Sequence, residues 1–194
     1  INPVMFVVMT EEATYSLSLD PNEQAYYAKM RDVLDARSAF VPVVIKEDPG
    51  AHESDQLAIV TVMDGPGLPR DELLAPDVGD SHNSFQEPEL FLAAGGLRGR
   101  QERVLVDGTY YINRLFATVE FIKKTIIPVG HVGVVVSYTG GKGEDITGKE
   151  YSHGELVENG CRGVWRNPLM PGKYAFNTYA GKIELVPTTN FVLM

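Results

Sequence analysis

The chain has 194 residues, of which 44% are hydrophobic and 22% charged, a composition typical of a globular protein with a sizeable core. Its formal net charge of −9 leaves no basic face to neutralise phosphates. This charge argues against nucleic acid as a partner and against direct adsorption to an anionic membrane surface. The single cysteine, Cys161, excludes an internal disulfide, and no apolar run reaches the ~18 residues of a membrane-spanning helix.

The first 56 residues are predicted to form an N-terminal segment that contains one helix. Two short strands are expected first, at Val4–Met9 and Ala13–Leu19, because apolar and small polar residues alternate in the second. Asp20 and Pro21 then have the order of an N-cap and a first helical residue, which predicts a helix over about residues 20–38. A further strand is expected up to Ile45.

The predicted helix has one apolar stripe, formed by residues at helical spacing. Tyr26, Met30 and Val33 fall on one side of it together with Arg37. A stripe of this kind is most often a surface that packs against a core, so we expect it to be buried.

A sequence motif occurs twice in the chain. Residues Gly96–Asn113 read GLRGRQERVLVDGTYYIN, and residues Gly160–Asn177 read GCRGVWRNPLMPGKYAFN. One offset of 64 residues (160 − 96) aligns the two copies without a gap. The aligned motif residues are Arg98 and Arg162, Gly99 and Gly163, Gly108 and Gly172, Tyr110 and Tyr174, and Asn113 and Asn177. A repeat at fixed spacing is typical of a modular architecture and favours a scaffold over a single catalytic pocket.

A strand-like segment precedes each copy of the motif. Leu57–Gly65 reads LAIVTVMDG and Val132–Gly140 reads VGVVVSYTG, at an offset of 75 residues (140 − 65). The first unit therefore contains an insertion of eleven residues (75 − 64), as expected for a loop. We predict a β-dominated α+β fold with two tandem related β modules, at residues 57–125 and 126–194, and one helix near the start.

Each residue type in the motif has a structural interpretation. Gly108 and Gly172 allow a turn with positive φ, and the asparagines can bond the local backbone and end a strand. Tyr110 and Tyr174 are expected to be largely buried with their hydroxyls paired. Arg98 and Arg162 follow glycine-rich turns, where they can clamp carbonyls or an acidic group of the neighbouring unit. An anionic ligand is the functional alternative for these arginines.

No catalytic, metal or cofactor motif stands out. The four histidines are scattered, without metal-ligand spacing, and Cys161 has no evident base. The stretch GGKGED from Gly140 to Asp145 lacks the spacing of a phosphate loop and predicts a hairpin tip. We therefore expect a protein that is not an enzyme and takes no cofactor.

The segments VTVMDGPGLP, HNSFQEPELFLAAGGLRGRQ and LVDGTYYIN, which lie between residues 60 and 113, resemble those of a known family. They are similar to the tandem β segments of large bacterial SPFH-domain (band 7) proteins, relatives of stomatin, prohibitin and flotillin. The second unit, IPVGHVGVVVSYTG through RGVWRNPLMPGKYAFN, resembles the start of the SPFH domain itself. The resemblance covers residues 57–194 and omits 1–56. The second unit also departs from the first because it lacks the HNSFQEPELFL insertion.

The resemblance implies a membrane-anchored, self-associating scaffold of lipid microdomains, with no catalytic residues to transfer. Because the chain begins with Ile1, we expect a segment of a longer parent protein. The parent would be membrane-associated and self-associating through regions outside this segment, while the segment itself is expected to be soluble. Two alternatives stay open, a soluble vault-like shell of β repeats and a ligand-binding or enzymatic module that uses the N-terminal region.

Overall fold

The structure, a computed structural model, describes residues 7–15, 20–46, 55–147 and 156–188. Strands dominate it, and the described residues contain two helices, so the predicted β-dominated α+β class is confirmed. Neither helix of this part of the chain combines the length and the apolar character needed to cross a bilayer. Two of the sequence predictions, the early part of strand Val4–Met9 and most of strand Ala13–Leu19, fall outside the described residues.

The N-terminal segment consists of a hairpin and a helix. Strands β1 (Val8–Met9) and β2 (Thr14–Tyr15) pair antiparallel and precede helix α1 (Pro21–Ala36). The helix begins with a capping box, in which the Asp20 carboxylate accepts from the backbone N–H of Glu23 and the Glu23 side chain accepts from that of Asp20. The helix and its N-terminus are where the sequence predicted them.

The predicted burial of the helix stripe is wrong. Tyr26 is 59% exposed and Val33 is 45% exposed, and only Leu34 is buried among the helix residues. Helical spacing puts side chains on one face of a helix, but it does not provide a surface to cover that face. In the described residues, side-chain hydrogen bonds link α1 and its C-cap to the rest of the chain: the Arg31 guanidinium donates to the Glu12 carbonyl at 3.3 Å, and the Arg37 guanidinium donates to the Arg114 carbonyl at 3.0 Å.

The first module has five strands in two small sheets. They are β3 (Val43–Ile45), β4 (Gln56–Val62), β5 (Gly99–Leu105), β6 (Gly108–Tyr110) and β7 (Ala117–Lys123). One sheet has the order β5-β4-β7, and the other pairs β3 with β6, all antiparallel. The apolar run in β4 is explained by this position, since the central strand is covered on both faces.

The second module repeats this arrangement. Its strands are β8 (Thr125–Ile127), β9 (His131–Ser137), β10 (Leu156–Val157), β11 (Gly163–Trp165), β12 (Gly172–Tyr174) and β13 (Gly181–Pro187). Sheet β10-β11-β9-β13 contains the same three-strand order as the first module, and β12 pairs with β8 as β6 pairs with β3. Strands β6 and β7 map onto β12 and β13 at an offset of 64 (172 − 108 and 181 − 117), and β4 maps onto β9 at 75 (131 − 56).

The strand pairing places the start of the first module earlier than residue 57. Strand β3 lies in the predicted N-terminal segment, yet its Val43 and Ile45 pair with Tyr110 and Gly108 of the repeated motif. Its counterpart β8 begins at Thr125, so the predicted boundary at 125/126 falls within a strand. A strand ending at Ile45 was predicted, but its place in the first module was not, because neither β3 nor β8 carries any part of the repeated motif.

The insertion of the first module supplies much of its core. Between β4 and β5 the chain forms helix α2 (Pro88–Ala93), whose Phe91 is fully buried. Its ring contacts those of Phe85 and Phe116, each with 5.6 Å between ring centres. The core therefore runs from the two sheets into the segment that the second module lacks.

A histidine lies inside this aromatic cluster. His82 is fully buried, 4.6 Å from the Phe85 ring centre, and its Nδ1 accepts from the Phe85 backbone N–H at 2.8 Å. Its Nε2 is buried without a hydrogen-bond partner among the described residues. Burial, reinforced by the positive charge of Arg103, lowers the pKa of His82 below its ordinary value of 6.5. The side chain is therefore neutral in the folded protein near neutral pH.

We expect His82 to make the protein less stable in mild acid. Because its folded-state pKa is depressed, the unfolded chain takes up a proton first as pH falls below 6.5. Above pH 6.5, the neutral side chain makes its full contribution to the free energy of unfolding. As the pH falls from 6.5 to the folded-state pKa, this contribution is lost, at a slope of at most about 1.4 kcal/mol per pH unit. Urea unfolding between pH 8 and pH 4, compared with His82→Gln and with His131→Gln as control, measures this. If the free energy of unfolding of His82→Gln depends on pH as steeply as that of the wild type, His82 is not the group that causes the loss of stability in acid.

Candidate functional site

The repeated tyrosines make the same hydrogen bond in both modules. Tyr110 Oη donates to the Val106 carbonyl, and Tyr174 Oη donates to the Met170 carbonyl, each at 2.8 Å and each four residues back along the chain. Both side chains are half-buried, so the prediction that they are largely buried is wrong. They lie on short two-stranded ribbons, and the Tyr110 side chain packs at the edge of the core of the first module.

We expect the tyrosine hydroxyls to stabilise the turns modestly and equally. Tyr110→Phe and Tyr174→Phe each remove one neutral hydrogen bond and should each lower the free energy of unfolding by about 1 kcal/mol. Urea denaturation of the two variants measures this. Tyr111→Phe is the control, since Tyr111 is 71% exposed and should be neutral. A difference of more than about 1 kcal/mol between the Tyr110 and Tyr174 variants would show that the turns are not equivalent.

The repeated asparagines end each turn in the same way. Asn113 Oδ1 accepts from the Leu115 N–H at 2.9 Å, and Asn177 Oδ1 accepts from the Tyr179 N–H at 3.0 Å. The asparagine carbonyls accept from the N–H groups of Phe116 and Ala180, three residues on. This local pattern stops one strand and starts the next.

Glycine is needed where each motif enters its strand. Gly99 has φ of 129° and Gly163 has φ of 134°, a backbone conformation that other residues adopt only with strain. At Gly108 and Gly172 φ is 159° in both copies, near extended geometry. A Cβ at Gly108 would lie 3.0 Å from Tyr110 Oη, so the close approach of the tyrosine also favours glycine there.

The two arginines are not equivalent in their contacts. Their backbone N–H groups make matching bonds, from Arg98 to the Pro66 carbonyl at 2.7 Å and from Arg162 to the Gly141 carbonyl at 3.0 Å. The Arg162 guanidinium donates to the Asp71 carbonyl of the first module at 3.4 Å. In the described residues the exposed Arg98 guanidinium has no hydrogen bond or ion pair. Only Arg162 therefore reaches the neighbouring unit.

Asn177 connects the two modules directly. It is 5% exposed, and its Nδ2 donates to the Gln101 and Glu102 carbonyls of β5 at 3.0 and 3.1 Å. Gln101 is itself buried and holds the preceding turn through its own amide, which donates to the Leu97 and Gly99 carbonyls. The turn of the second module is thus bonded to the strand that opens the motif of the first.

Tyr179 adds a second set of contacts across this interface. Its hydroxyl lies 3.1 Å from both carboxylate oxygens of Glu120, and the Arg100 guanidinium carbon lies 3.4 Å from its ring centre. A cation over an aromatic face is a favourable contact. The three side chains therefore form one stack between the modules.

A buried ion pair also joins the two modules. Asp55, the residue before β4, is 1% exposed and forms an ion pair with Lys173 of β12. The backbone N–H of Lys124 donates to the Asp55 carbonyl at 2.9 Å, next to the junction between the modules. Thr139 Oγ1 also faces Glu102 Oε1, at 3.5 Å. These contacts fix the second module relative to the first.

The cleft at this interface has little chemistry to offer. It has a volume of about 240 Å³ and is lined by Glu102, Ser137, Thr139 and Trp165, among others. The Ser137 hydroxyl donates to the Thr139 carbonyl at 3.0 Å, and the Trp165 Nε1 donates to the Cys161 carbonyl at 3.0 Å. None of the described residues that line the cleft is a histidine. Across the described residues, no group of three metal-ligating side chains comes together.

Several residues of the interface were not identified from the sequence. The repeat gave no signal for three of them, because the other module has a different residue type at each matching position. Leu115 corresponds to Tyr179, Val164 to Arg100 and Thr109 to Lys173. Glu120 is the exception, because the pair Val119-Glu120 matches Ile183-Glu184 at the same offset and so belongs to the repeat. A residue that binds one module to another differs between the copies when the copies have different neighbours.

Comparison of the chain with protein-family models, with curated proteins and with solved structures found no match.

Proposed function

We propose that this chain is a non-catalytic scaffold segment of a membrane-associated SPFH (band 7) protein, which organises membrane microdomains or membrane protein complexes. The observation that carries the proposal is the duplication of one β module, with the same strand order in both copies and a buried interface between them. A chain of similar modules in fixed relative positions is what a scaffold requires.

The use of the polar side chains supports a scaffold over an enzyme. Asn177, Tyr179 and Lys173 are engaged with backbone carbonyls or carboxylates of the first module. Arg162, the arginine considered as an anion ligand, donates to a carbonyl of that module. The groups that an enzyme would direct into a pocket are here used to hold two modules together.

The SPFH assignment within the scaffold class rests on the residues of the repeat. The segment that resembles the entry to an SPFH domain, VGVVVSYTG, forms the central strand β9. The RGVWRNPLMPGKYAFN stretch supplies β11 and β12 of the same module. The resembling residues therefore form one structural unit and are not scattered over the fold.

Membrane fractionation of the full-length parent protein tests the proposal. We expect the parent in the membrane fraction and, after mild detergent extraction, large assemblies in electron micrographs. Recovery in the soluble fraction as closed shells would support the vault-like alternative, because stacked β modules suit that function as well. A monodisperse soluble monomer would contradict both.

A further inference from the structure

The cleft between the modules has walls from both of them. Glu102 of β5 belongs to the first module, whereas Ser137, Thr139, Trp165 and Phe176 belong to the second. Its volume of about 240 Å³ lies just below the range of about 300–1,000 Å³ that is typical of ligand pockets. The cleft therefore has room for a small ligand or for one end of a larger one.

The charge in the cleft has one sign. Glu102 is exposed, and its carboxylate is the only charged group among the described residues that line the cleft. In the described part of the chain, this carboxylate has one hydrogen bond, a long one of 3.5 Å from Thr139 Oγ1, and no ion pair. Most of its capacity as an acceptor is therefore free. A cation fits this cleft better than an anion, and the net charge of −9 acts in the same direction.

The other polar groups of the cleft are already hydrogen-bonded. The Ser137 hydroxyl donates to the Thr139 carbonyl, and both ends of the Asn177 amide have backbone partners. A primary ammonium group has three donors, and Glu102 alone would have to accept from them. A quaternary ammonium group has no donor and needs only a counter-ion and an apolar surface, which the cleft offers.

Two aromatic side chains supply that surface, and both are held in place. Trp165 Nε1 donates to the Cys161 carbonyl at 3.0 Å, which fixes the indole ring. The Phe176 ring lies against Gly181, where a Cβ would come within 3.2 Å of the Phe176 Cζ atom. The faces of aromatic rings attract cations, tryptophan most strongly. Rings that are already fixed lose little freedom when a ligand binds.

The fold of the module does not require these residues. The first module has Gln101 and Ile112 at the positions of Trp165 and Phe176 (165 − 64 and 176 − 64), and the second has Arg166 at the position of Glu102 (102 + 64). The acid and the two rings are therefore found together only where the two modules meet.

We propose that the cleft between the modules binds a quaternary ammonium cation, with Glu102 as its counter-ion and the rings of Trp165 and Phe176 as its apolar walls. This goes beyond the proposed scaffold function, because it gives the interface a ligand. Since Glu102 and the two rings come from different modules, the bound cation contacts both modules at once.

Titration of the chain with choline chloride, at an ionic strength held constant with sodium chloride, tests the proposal. Trp165 is the single tryptophan of the chain, so its fluorescence reports on the cleft. We expect a saturable change in emission with a Kd of about 1 mM, as two cation–aromatic contacts would give. The uncharged analogue, in which a carbon atom replaces the nitrogen of choline, should bind about tenfold more weakly. Isothermal titration calorimetry repeats both titrations, because a bound cation can leave the emission unchanged.

Two variants test the two kinds of contact. Glu102→Gln removes the charge and keeps the shape of the side chain, and it should weaken choline binding about tenfold. Phe176→Leu removes the ring and keeps an apolar side chain, and it should weaken binding about fivefold. Glu89→Gln changes the net charge equally at an exposed position outside the cleft, so this control should bind choline as the wild type does. Circular dichroism checks that each variant is folded.

Phosphocholine distinguishes two sources of the cation. It carries the same quaternary ammonium group beside a phosphate, as a lipid headgroup does. Binding of choline alone assigns the cleft to a free cation, whereas binding of both compounds assigns it to the headgroup as well. The quaternary ammonium is the group that binds in either case.

Three results overturn the proposal. They are the absence of choline binding in both assays, equal affinities for choline and its uncharged analogue, and a Glu102→Gln variant that binds choline as tightly as the wild type. Because these assays contain neither the membrane nor the parent protein, their failure leaves membrane fractionation as a separate test of the scaffold function.

Discussion

Replacing Lys173 by methionine should lower the free energy of unfolding by about 3 kcal/mol, since it removes the cation paired with the buried carboxylate of Asp55. Methionine keeps most of the side-chain volume, so the loss reports charge and not packing. The buried charge costs more than a surface charge because water cannot replace its partner. Urea denaturation followed by far-ultraviolet circular dichroism measures the change.

Lys182→Met is the matched control for this variant. Lys182 pairs with Glu184 at 2.7 Å, but both side chains are more than half exposed. We expect no measurable change in stability from its replacement. Equal stabilities of the Lys173 and Lys182 variants would show that the pair between the modules contributes no more than a surface contact.

Replacing Phe91 by alanine should lower the free energy of unfolding by about 4 kcal/mol, the range for a large buried aromatic side chain. Phe91 is fully buried and contacts the rings of Phe85, Phe116 and His82. The loss combines the apolar surface returned to water with the cavity left among these rings. Urea denaturation of the variant measures it.

Leu90→Ala is the control, because Leu90 lies on the same helix and is 49% exposed. It should cost much less than Phe91→Ala, since the exposed side chain buries less surface and leaves no cavity. If the two variants were equally stable, the insertion would be a surface loop and not a part of the core.

The sequence was most informative where a residue type has a backbone role. The shared frame of glycine, tyrosine and asparagine predicted two similar turns, and the structure has matching bonds at Tyr110 and Tyr174 and at Asn113 and Asn177. The start of α1 was equally clear, because the order Asp20-Pro21 with Glu23 has few other structural meanings. Local chemistry determines these features, and local chemistry can be read from sequence.

Features that depend on distant partners were not predicted. The helix stripe at Tyr26 and Val33 has the right spacing for burial but no surface opposite it. Strand β3 was assigned to the N-terminal segment because its partner β6 lies more than 60 residues away (108 − 45). The ion pair of Asp55 with Lys173 joins residues 118 positions apart. Each of these requires knowledge of which elements meet in space.

The comparison of the two copies separates two kinds of residue. Residues that build the module, such as Gly99, Tyr110 and Asn113, recur at the same positions in the second copy. Residues that join the modules, such as Tyr179 and Lys173, differ between the copies because their surroundings differ. Asn177 belongs to both groups, since its Oδ1 closes the turn while its Nδ2 binds the first module.

Scanning calorimetry of the 194-residue chain tests the central claim, that two related modules are held together by a buried interface, most directly. Because Asn177, Tyr179 and Lys173 tie the modules together, we predict one cooperative transition with equal calorimetric and van't Hoff enthalpies. Two resolved transitions, or a calorimetric enthalpy about twice the van't Hoff value, would contradict the account. That result would mean that the modules unfold independently and that the interface does not couple them.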